Sequence, residues 1–284
     1  MSGVLPPRVA FQGEAGAFSE DAVHTFFEEA DVVLLPERDF AGVARAVITR
    51  NADFGVLPVE NSIHGSVISA YDVLGAGGLT VIGEVVRPIR HCLLGLRNVL
   101  PDQVRRIISH PVALGQCTRY LASLPHAEVV AFYDTAGAAR EVSQRQDPSL
   151  AAVAGHAAAA RYQLTVLAED IQDSPDNATR FFLVRRGDDA DAAIAALADG
   201  AHKAVLVLET EHRPGALVDA LLPFAKRDIN LTRIESRPAD RVWNYRFFLE
   251  LVTSDLDALQ AAIDDVRART AHALVLGVFP APAA

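Results

Sequence analysis

The sequence lacks the features that mark secreted, disulfide-stabilised or membrane proteins. Its only cysteines are Cys92 and Cys117, which excludes a disulfide framework and does not match the spacing of a structural zinc site. No apolar run approaches the ~20 residues of a membrane span. Residues 1–7 carry neither the charged segment nor the apolar segment of a secretory signal. These absences predict a soluble cytoplasmic protein with no membrane partner.

Basic residues are also scarce. Lysine and arginine total 26 against 36 aspartates and glutamates, for a formal net charge of −10. A protein that binds nucleic acid generally needs a strongly cationic surface, so no nucleic-acid partner is expected. Hydrophobic residues make up 50% and charged residues 22%, which is ordinary globular usage. At 284 residues the chain is about twice a typical ~150-residue domain, which predicts two domains.

The first two thirds of the chain alternate short apolar runs with helical patterns, which predicts a mostly parallel sheet covered by helices. The predicted strands are Arg8–Phe11, Ala52–Pro58, Arg105–Ser109, Glu128–Phe132, Leu150–Ala154, Val166–Ala168 and Phe181–Arg185. The predicted helices are Phe18–Glu29, Asp39–Thr49, Gly65–Leu74, Val112–Leu124, Thr135–Gln144 and His156–Tyr162. Segments 79–96 read as extended. Two lobes, 8–84 with 180–186 and 88–170, joined by crossing strands around a cleft, explain that order.

A different pattern follows residue 186. Residues 187–202 are rich in alanine and aspartate and are predicted to be a linker. Residues 203–284 then read as strand, helix, strand, strand, helix, strand, the ferredoxin-like order. Ser254 and Asp257 have the spacing of a capping box at the start of the second helix. The chain is therefore predicted to hold an α/β domain over 1–186 and a βαββαβ domain over 203–284.

The segment Phe11–Ser19 joins the first strand to the first helix. Gly13 and Gly16 keep this loop small, so that backbone N–H groups near Ser19 can approach an anion at the helix start. On this segment alone, a tight strand–helix turn is the simpler interpretation.

Polar side chains follow two further strands. Glu60, Asn61 and Ser62 come directly after one strand, and the carboxyl ends of strands in open α/β sheets face the ligand crevice. Ser109 follows another strand, with Gln116 two helical turns beyond it. Helix capping is the alternative for these positions.

Two more segments place a threonine beside a strand. Thr135 follows the strand that ends near Phe132, where Asp134 and Thr135 can also serve as a helix cap. The segment NATRF places Thr179 and Arg180 at the start of a strand. Taken singly, such a threonine is more often a strand former than a catalyst.

These segments together resemble the prephenate dehydratase family, in order and in spacing, over nearly the whole chain. The matching motifs are FQGEAGAFSE, LPVENSIHGSV, SHPVALGQC, DTAGAA and NATRFFLV, and the C-terminal unit resembles an ACT regulatory domain through RPGALV and IESRP. The family more often has Gln and Ala at Val112 and Gly115, which bears on fine specificity. No chorismate mutase domain precedes residue 1, so the monofunctional form is expected.

The resemblance implies an α/β fold with a two-lobed catalytic domain, like that of type II periplasmic binding proteins, followed by a ferredoxin-like ACT domain. It implies Thr179 as hydrogen-bond or proton donor to the leaving hydroxyl. The implied catalytic residues are Thr179, Glu60, Asn61, Ser109 and Gln116, and the implied substrate-binding residues are Ser19, Ser62, Thr135, Arg180 and Phe181. An effector site for phenylalanine is implied at Gly215, Ala216, Leu217, Val218, Glu235, Ser236, Arg237 and Pro238.

The implied reaction is the decarboxylating dehydration of prephenate to phenylpyruvate in phenylalanine biosynthesis. Formation of the aromatic ring drives it, so no cofactor and no metal are expected. L-phenylalanine is the expected feedback effector, and a homodimer or homotetramer is the expected assembly. Two alternatives stay open: an arogenate dehydratase, and a non-catalytic binding protein that senses amino acids.

Overall fold

The computed structural model describes residues 5–28, 31–187, 200–239 and 244–282. Contacts divide the chain into two compact units. The first comprises Met1–Ala70 with Val85–Phe181, and the second comprises Tyr71–Glu84 with Phe182–Ala284. No helix among the described residues is long and apolar enough to span a membrane.

The first sheet has the strand order β2-β1-β3-β11-β5, with β4 paired to β3. Its strands are β1 (Arg8–Gln12), β2 (Val33–Glu37), β3 (Phe54–Asn61), β4 (Gly65–Ser66), β5 (Leu79–Pro88) and β11 (Ala178–Arg186), and the accompanying helices are α1 (Phe18–Phe27), α2 (Phe40–Ile48) and α3 (Ile68–Gly75). Strand β1 runs parallel to both β2 and β3. Its central residues Val9, Ala10 and Phe11 are fully buried, so the sheet carries helices or loops on both faces.

The second sheet of the first unit has the order β10-β6-β9-β7-β8. Its strands are β6 (Cys92–Gly95), β7 (Arg106–Ser109), β8 (Glu128–Ala131), β9 (Leu150–Ala154) and β10 (Thr165–Ala168), with helices α4 (Pro111–Gly115), α5 (Thr118–Ala122), α6 (Thr135–Arg145) and α7 (His156–Tyr162). Small side chains such as Ala138 of α6 and Ala152 of β9 share one buried cluster, which lets helix and sheet approach closely. The sheet is mixed, because β6 runs antiparallel to β9 and β10.

The second unit contains a four-stranded antiparallel sheet of order β13-β14-β12-β15. It is built from β12 (His202–Glu209), α8 (Ala216–Ala225), β13 (Asn230–Pro238), β14 (Tyr245–Thr253), α9 (Leu256–Arg267) and β15 (His272–Pro280). Apolar residues of both helices, including Phe224 and Ile263, form one core with the sheet. The element order and the strand order together are those of a ferredoxin-like unit.

The end of α3 and most of β5 belong to this second unit. Tyr71 packs edge-on against Phe248 with ring centroids 5.2 Å apart. The ammonium of Lys203 lies 2.7 Å from Glu84 and 3.0 Å from Glu250, and all three side chains are nearly buried. A buried ammonium with two carboxylates in reach is well compensated, whereas removing one partner leaves an uncompensated charge. Residues 71–84 are thus held to the ferredoxin-like sheet by both packing and charge.

The predicted fold class is confirmed, with an α/β unit of two sheets followed by a ferredoxin-like unit. Two local predictions were wrong, and one strand was not predicted. The predicted helix Val112–Leu124 is two short helices, α4 and α5, and the cap of α9 is Asp255, whose carboxylate accepts from the amide of Ala258, not Ser254. Strand β2 was missed. The predicted linker 187–202 lies mostly outside the described residues, which resume at Gly200.

Candidate active site

A cavity of about 240 Å³ lies within the first unit, at the point where side chains from both of its sheets converge. Apolar walls come from residues such as Phe18, Ile89 and Phe181. Its polar lining is Gln12, Ser19, Asn61, His91, His110, Gln116, Asp134, Thr135 and Thr179. No lysine or arginine stands among these described lining residues, so any anion held here relies on neutral donors.

Strand alternation decides which predicted residues reach the cavity. Successive side chains of a strand point to opposite faces. Asn61 of β3 and Thr179 of β11 line the cavity, whereas their neighbours Glu60 and Arg180 do not. The guanidinium of Arg180 instead bonds Glu60 through Nε at 3.1 Å and Nη2 at 2.8 Å. This ion pair ties β3 to β11 on the other face, away from the cavity lining.

The amide of Asn61 has an orientation that its partners determine. Its Oδ1 accepts from the backbone amides of Ile63 and His64, at 3.1 and 3.0 Å. Its Nδ2 donates to Oδ1 of Asn177 at 2.8 Å and to the carbonyl of Ala178 at 3.0 Å. Backbone amides only donate and carbonyls only accept, so the oxygen and nitrogen of Asn61 cannot be exchanged.

The same Nδ2 reaches the hydroxyl of Thr179. The distance from Asn61 Nδ2 to Thr179 Oγ1 is 3.0 Å, and both side chains are more than nine-tenths buried. Because Thr179 Oγ1 accepts this bond, its own hydrogen is left to point elsewhere. No described residue accepts a hydrogen bond from the Thr179 hydroxyl. Its hydrogen is therefore available to a molecule bound in the cavity.

Gln116 extends the network to two histidines. Its Nε2 lies 3.4 Å from Asn61 Oδ1 and 3.2 Å from Nδ1 of His64. Its Oε1 lies 2.8 Å from Nε2 of His91, whose side chain is 2% exposed. Burial lowers the pKa of His91, against a smaller raising effect of the Gln116 bond, so its imidazole is neutral. A continuous chain of polar side chains therefore runs from His91 to Thr179.

The loop between β1 and α1 brings backbone amides to the cavity. Gly13 and Gly16 both have positive φ, at 118° and 87°. A Cβ on Gly16 would lie 2.9 Å from Cα of Ala158, so the loop needs glycine there both for its backbone conformation and for space. Helix α1 has no side-chain cap, and the amides of Phe18 and Ser19 bond to no described acceptor. These donors, at the positive end of a helix, suit a carboxylate.

A second helix start, that of α6, faces the same cavity. Asp134 caps it by accepting from the amide of Gly137 at 2.7 Å. Burial raises the pKa of the Asp134 carboxyl, with the Gly137 bond opposing that effect. Thr135 follows at the first helical position and lines the cavity. The predicted Ser19, Thr135 and Phe181 thus all stand on the cavity wall.

Two other predicted site residues have structural partners instead. Ser109 is fully buried, and its hydroxyl donates to the carbonyl of Val153 rather than capping α4. The hydroxyl of Ser62 donates to the carbonyl of Asp176 and accepts from the amide of Ala178. Neither side chain lines the cavity. They fix the segments that carry Gln116 and Thr179.

Sequence analysis missed several cavity residues, among them His91, His110 and Asp134 as a lining carboxyl. His91 stands immediately before a short buried strand, and His110 immediately after one. Strand ends were the available signal, and it was applied to Ser109 but not to its neighbour. The scatter of nine histidines along the chain concealed the two that matter.

The second unit has its own cavity of about 240 Å³ beside the start of α8. The predicted Gly215, Ala216, Leu217 and Val218 line it, together with residues such as Tyr245 and Phe247. Gly215 adopts φ 80° and gives α8 no side-chain cap, and the amides of Leu217 and Val218 bond to no described acceptor. Backbone donors beside apolar side chains fit an amino acid with an aromatic group.

The other predicted effector residues, 235–238, lie outside this cavity in the part of the chain that is described. Arg237 lies 3.3 Å from Asp72 of α3, and Glu235 lies 3.3 Å from Arg233. Ser236 and Pro238 are paired with β14 residues in the sheet.

Residues 9–189 match the family model described as prephenate dehydratase, which is more than half of the chain. The chain belongs to the prephenate dehydratase family. It is therefore related to enzymes that are dehydratases, and the cavity above lies within the matched region.

Curated relatives carry two substrate names. The chain is 37% identical to "Arogenate dehydratase 2" of Petunia hybrida over 96% of this chain and 71% of the relative. It is 35% identical to the "Bifunctional chorismate mutase/prephenate dehydratase" of Neisseria gonorrhoeae over 97% of this chain and 75% of the relative. The family thus contains both activities at similar distance from this chain.

Solved structures agree with the fold. The structure of prephenate dehydratase from Arthrobacter aurescens in complex with L-Phe is 31% identical, with a TM-score of 0.87 over 96% of this chain and 90% of that chain. A structure described as the quorum-quenching acylase GqqA is also 31% identical, with a TM-score of 0.85 over 96% of this chain and 98% of that chain. The likeness includes the ferredoxin-like unit, since it covers nearly the whole chain.

Proposed function

We propose that the chain converts prephenate to phenylpyruvate, water and carbon dioxide, and that L-phenylalanine inhibits it through the ferredoxin-like unit. The observation that carries the first part is the hydrogen bond from Asn61 to Thr179 on the cavity wall. It leaves Thr179 as a donor without a described acceptor, in a cavity that is mostly apolar. A dehydration needs such a donor at the departing hydroxyl.

The proposed reaction uses that hydroxyl in its first step. As the ring carbon–oxygen bond breaks, the Thr179 hydroxyl gives its hydrogen bond, and finally its proton, to the departing oxygen, which leaves as water. The electron pair of the bond to the ring carboxylate moves into the ring, carbon dioxide departs, and the ring becomes aromatic. One proton is consumed overall and returns to Thr179 from solvent. Threonine is a weak acid, so the Nδ2 donor of Asn61 has to stabilise the charge that builds on Oγ1.

Substrate charge is met by backbone groups rather than by cationic side chains. Prephenate is a dianion, and no lysine or arginine lines the described cavity wall. The free amides of Phe18 and Ser19 and the start of α6 at Thr135 are the proposed carboxylate donors. Glu60 and Arg180 enter the proposal as the ion pair that aligns β3 with β11, and Ser109 and Ser62 as groups that fix their own segments.

Valine at position 179 tests this role, because it keeps the shape and removes the hydroxyl. We expect Thr179→Val to lower kcat at least ~10²-fold, the low end for losing a positioned proton donor. Thr179→Ser keeps the hydroxyl and should retain most activity. The matched control is Thr80→Val, a buried strand threonine outside the cavity. Phenylpyruvate formation is the readout, and near wild-type kcat in Thr179→Val refutes the role.

Arogenate is the second candidate substrate, named in the plant relatives. It carries an ammonium where prephenate has a ketone, and an ammonium calls for an anionic partner. Asp134 is the only carboxylic acid in the described lining, its Oδ1 is committed to Gly137, and burial disfavours its charged form. This supports prephenate. Comparing kcat/KM for both substrates discriminates them, and a higher value for arogenate reverses the assignment.

The acylase named in one solved structure is a different reaction class. An acyl-transfer nucleophile needs a base that takes its proton. Thr179 accepts a hydrogen bond from Asn61 and donates to no described residue, which supports a proton donor rather than an activated nucleophile.

A further inference from the structure

His91 is a buried titratable side chain on the cavity wall with no role in the reaction as described so far. Its backbone is fixed on both sides, because its amide donates to Oε1 of Gln172 at 2.8 Å and its carbonyl accepts from Ile171 at 3.0 Å. Its ring meets Phe18 edge-on, with centroids 5.5 Å apart. These contacts hold the ring in place, so each of its two nitrogens faces a defined neighbourhood.

The network determines which ring nitrogen carries the hydrogen. Backbone partners fix Oδ1 of Asn61 as an acceptor, so the atom of Gln116 that faces it must be the nitrogen. Oε1 of Gln116 then faces His91, and a bond at 2.8 Å between them requires a hydrogen on Nε2. Nδ1 of His91 is buried and has no partner among the described residues, in agreement with a neutral ring protonated at Nε2.

We propose that His91 is a positioning residue for the dehydration, whose Nε2–H holds the Gln116 amide in the one orientation that complements the fixed amide of Asn61 beside Thr179. If the Gln116 amide rotated by half a turn, its nitrogen would face the His91 hydrogen and its oxygen would face Asn61 Oδ1. Both contacts would be repulsive. His91 therefore keeps the nitrogen of Gln116 toward Oδ1 of Asn61, the residue whose Nδ2 donates to Thr179. This inference rests on the proposed role of Thr179.

Three substitutions separate the hydrogen bond from the space that the ring fills. Phenylalanine keeps a ring against Phe18 and removes the donor. Glutamine can place an N–H near the position of Nε2, and asparagine places one nearer to Nδ1. We expect kcat to fall about 10- to 100-fold in His91→Phe and His91→Asn, with KM changed less than about threefold, because the orientation matters in the transition state. His91→Gln should stay within about fivefold of the wild type.

His202→Phe is the matched control. His202 is also 2% exposed with an unpartnered Nδ1, but it lies in β12 of the other unit. Its kcat should remain that of the wild type. A His91→Phe enzyme with wild-type kcat, or a His91→Gln enzyme no better than His91→Asn, overturns the proposal. Melting temperatures measured alongside show whether each variant is folded, and the glutamine–asparagine comparison decides the matter if His91→Phe does not fold.

A measurement that does not depend on turnover completes the test. In full-length protein labelled with ¹⁵N-histidine, we expect His91 to show a neutral ring protonated at Nε2, assigned by its absence in His91→Gln. A ring protonated at Nδ1 overturns the inference whatever the activity. Failure of the proposed function appears differently, as a wild-type protein inactive on both prephenate and arogenate while the ring is protonated as expected.

Discussion

At the scale of single residues, the site depends on hydrogen-bonding groups whose orientation is fixed by their neighbours. The amide of Asn61 is fixed by two backbone donors on one side and a carbonyl on the other. Its rigidity is what leaves the Thr179 hydrogen uncommitted. A hydroxyl in solution would instead divide its time among several acceptors, so the enzyme gains a donor that needs no reorganisation when the reaction begins.

His91 also leads to a prediction about stability. Burial lowers the pKa of His91 from the ordinary 6.5. Just below pH 6.5, His91 is therefore protonated in the unfolded chain but still neutral in the folded protein. The stability that this provides is complete above pH 6.5 and is lost as pH falls toward the lowered pKa. Between pH 7.5 and pH 5, the free energy of unfolding measured with urea should therefore fall more in the wild type than in His91→Gln. Parallel pH profiles for the two proteins would contradict this.

At the residue level, the family resemblance selected some side chains that the structure brings together and others that it does not. Asn61, Gln116 and Thr179, separated by up to 118 positions, were selected together and do form one network. Glu60 and Arg180 were selected with them but lie on the opposite face. The alternation of a strand already contained that distinction. His91 was missed because its significance comes from a partner 25 positions away, not from its neighbours in the chain.

At the scale of secondary structure, one contact explains why a predicted helix is broken. Asp173 accepts from the amides of Thr118 and Arg119, each at 3.0 Å, and its own amide donates to the carbonyl of Gln116. It thereby caps the start of α5 and bonds the carbonyl of Gln116, the residue that follows the end of α4. The apolar spacing of residues 112–124 continues across the break and therefore does not predict it. The break depends on Asp173, which lies 55 positions from Thr118 in the sequence. Gln116, which lies at this break, lines the cavity.

A second contact joins the loop before α1 to α6. Glu14 accepts from Tyr133 at 2.9 Å and from Arg140 at 2.8 Å. Burial, and then the Glu14 bond, raise the pKa of Tyr133 to about 12, so its hydroxyl stays a donor at neutral pH. The partly exposed ion pair between Glu14 and Arg140 contributes about 0.2–1 kcal/mol, which favours the position of this loop beside α6.

We expect Glu14→Ala to raise KM by up to about fivefold, since about 1 kcal/mol corresponds to that factor. The effect should shrink in 0.5 M salt, which screens partly exposed charges. Glu141→Ala is the matched control, because Glu141 pairs with Arg145 within α6 and does not touch the loop. Steady-state kinetics at two salt concentrations provide the check, and equal KM values for the two variants would refute the link.

At the scale of the whole molecule, phenylalanine should inhibit through the cavity beside α8. Leu217 lines that cavity, whereas Leu222 on the same helix does not. Leu217→Ala should raise the phenylalanine concentration for half inhibition about tenfold, the effect of losing roughly 1.5 kcal/mol of apolar contact. Leu222→Ala should leave it unchanged. The measurement is inhibition of full-length enzyme, and unaltered inhibition in Leu217→Ala would place the effector elsewhere.

A homodimer or homotetramer remains our expectation for the assembly. Strand β13 is an edge of the ferredoxin-like sheet, and Ile234 within it is 42% exposed. Unpaired edges of this kind invite pairing with a second copy. Light scattering at micromolar concentration should give a mass of at least about twice the 30.4 kDa of one chain, and a monomer would contradict the expectation.

The attachment of residues 71–84 to the ferredoxin-like sheet limits how freely the regulatory part can be exchanged between proteins. The sequence predicts a linker at 187–202, which suggests a recombination point there. That point separates Lys203 from Glu84 and Phe248 from Tyr71. A chimera made there would inherit buried carboxylates selected for a different cation. The module that can be transplanted is discontinuous in the gene, and a graft that carries residues 71–84 together with 182–284 should fold where the simple fusion does not.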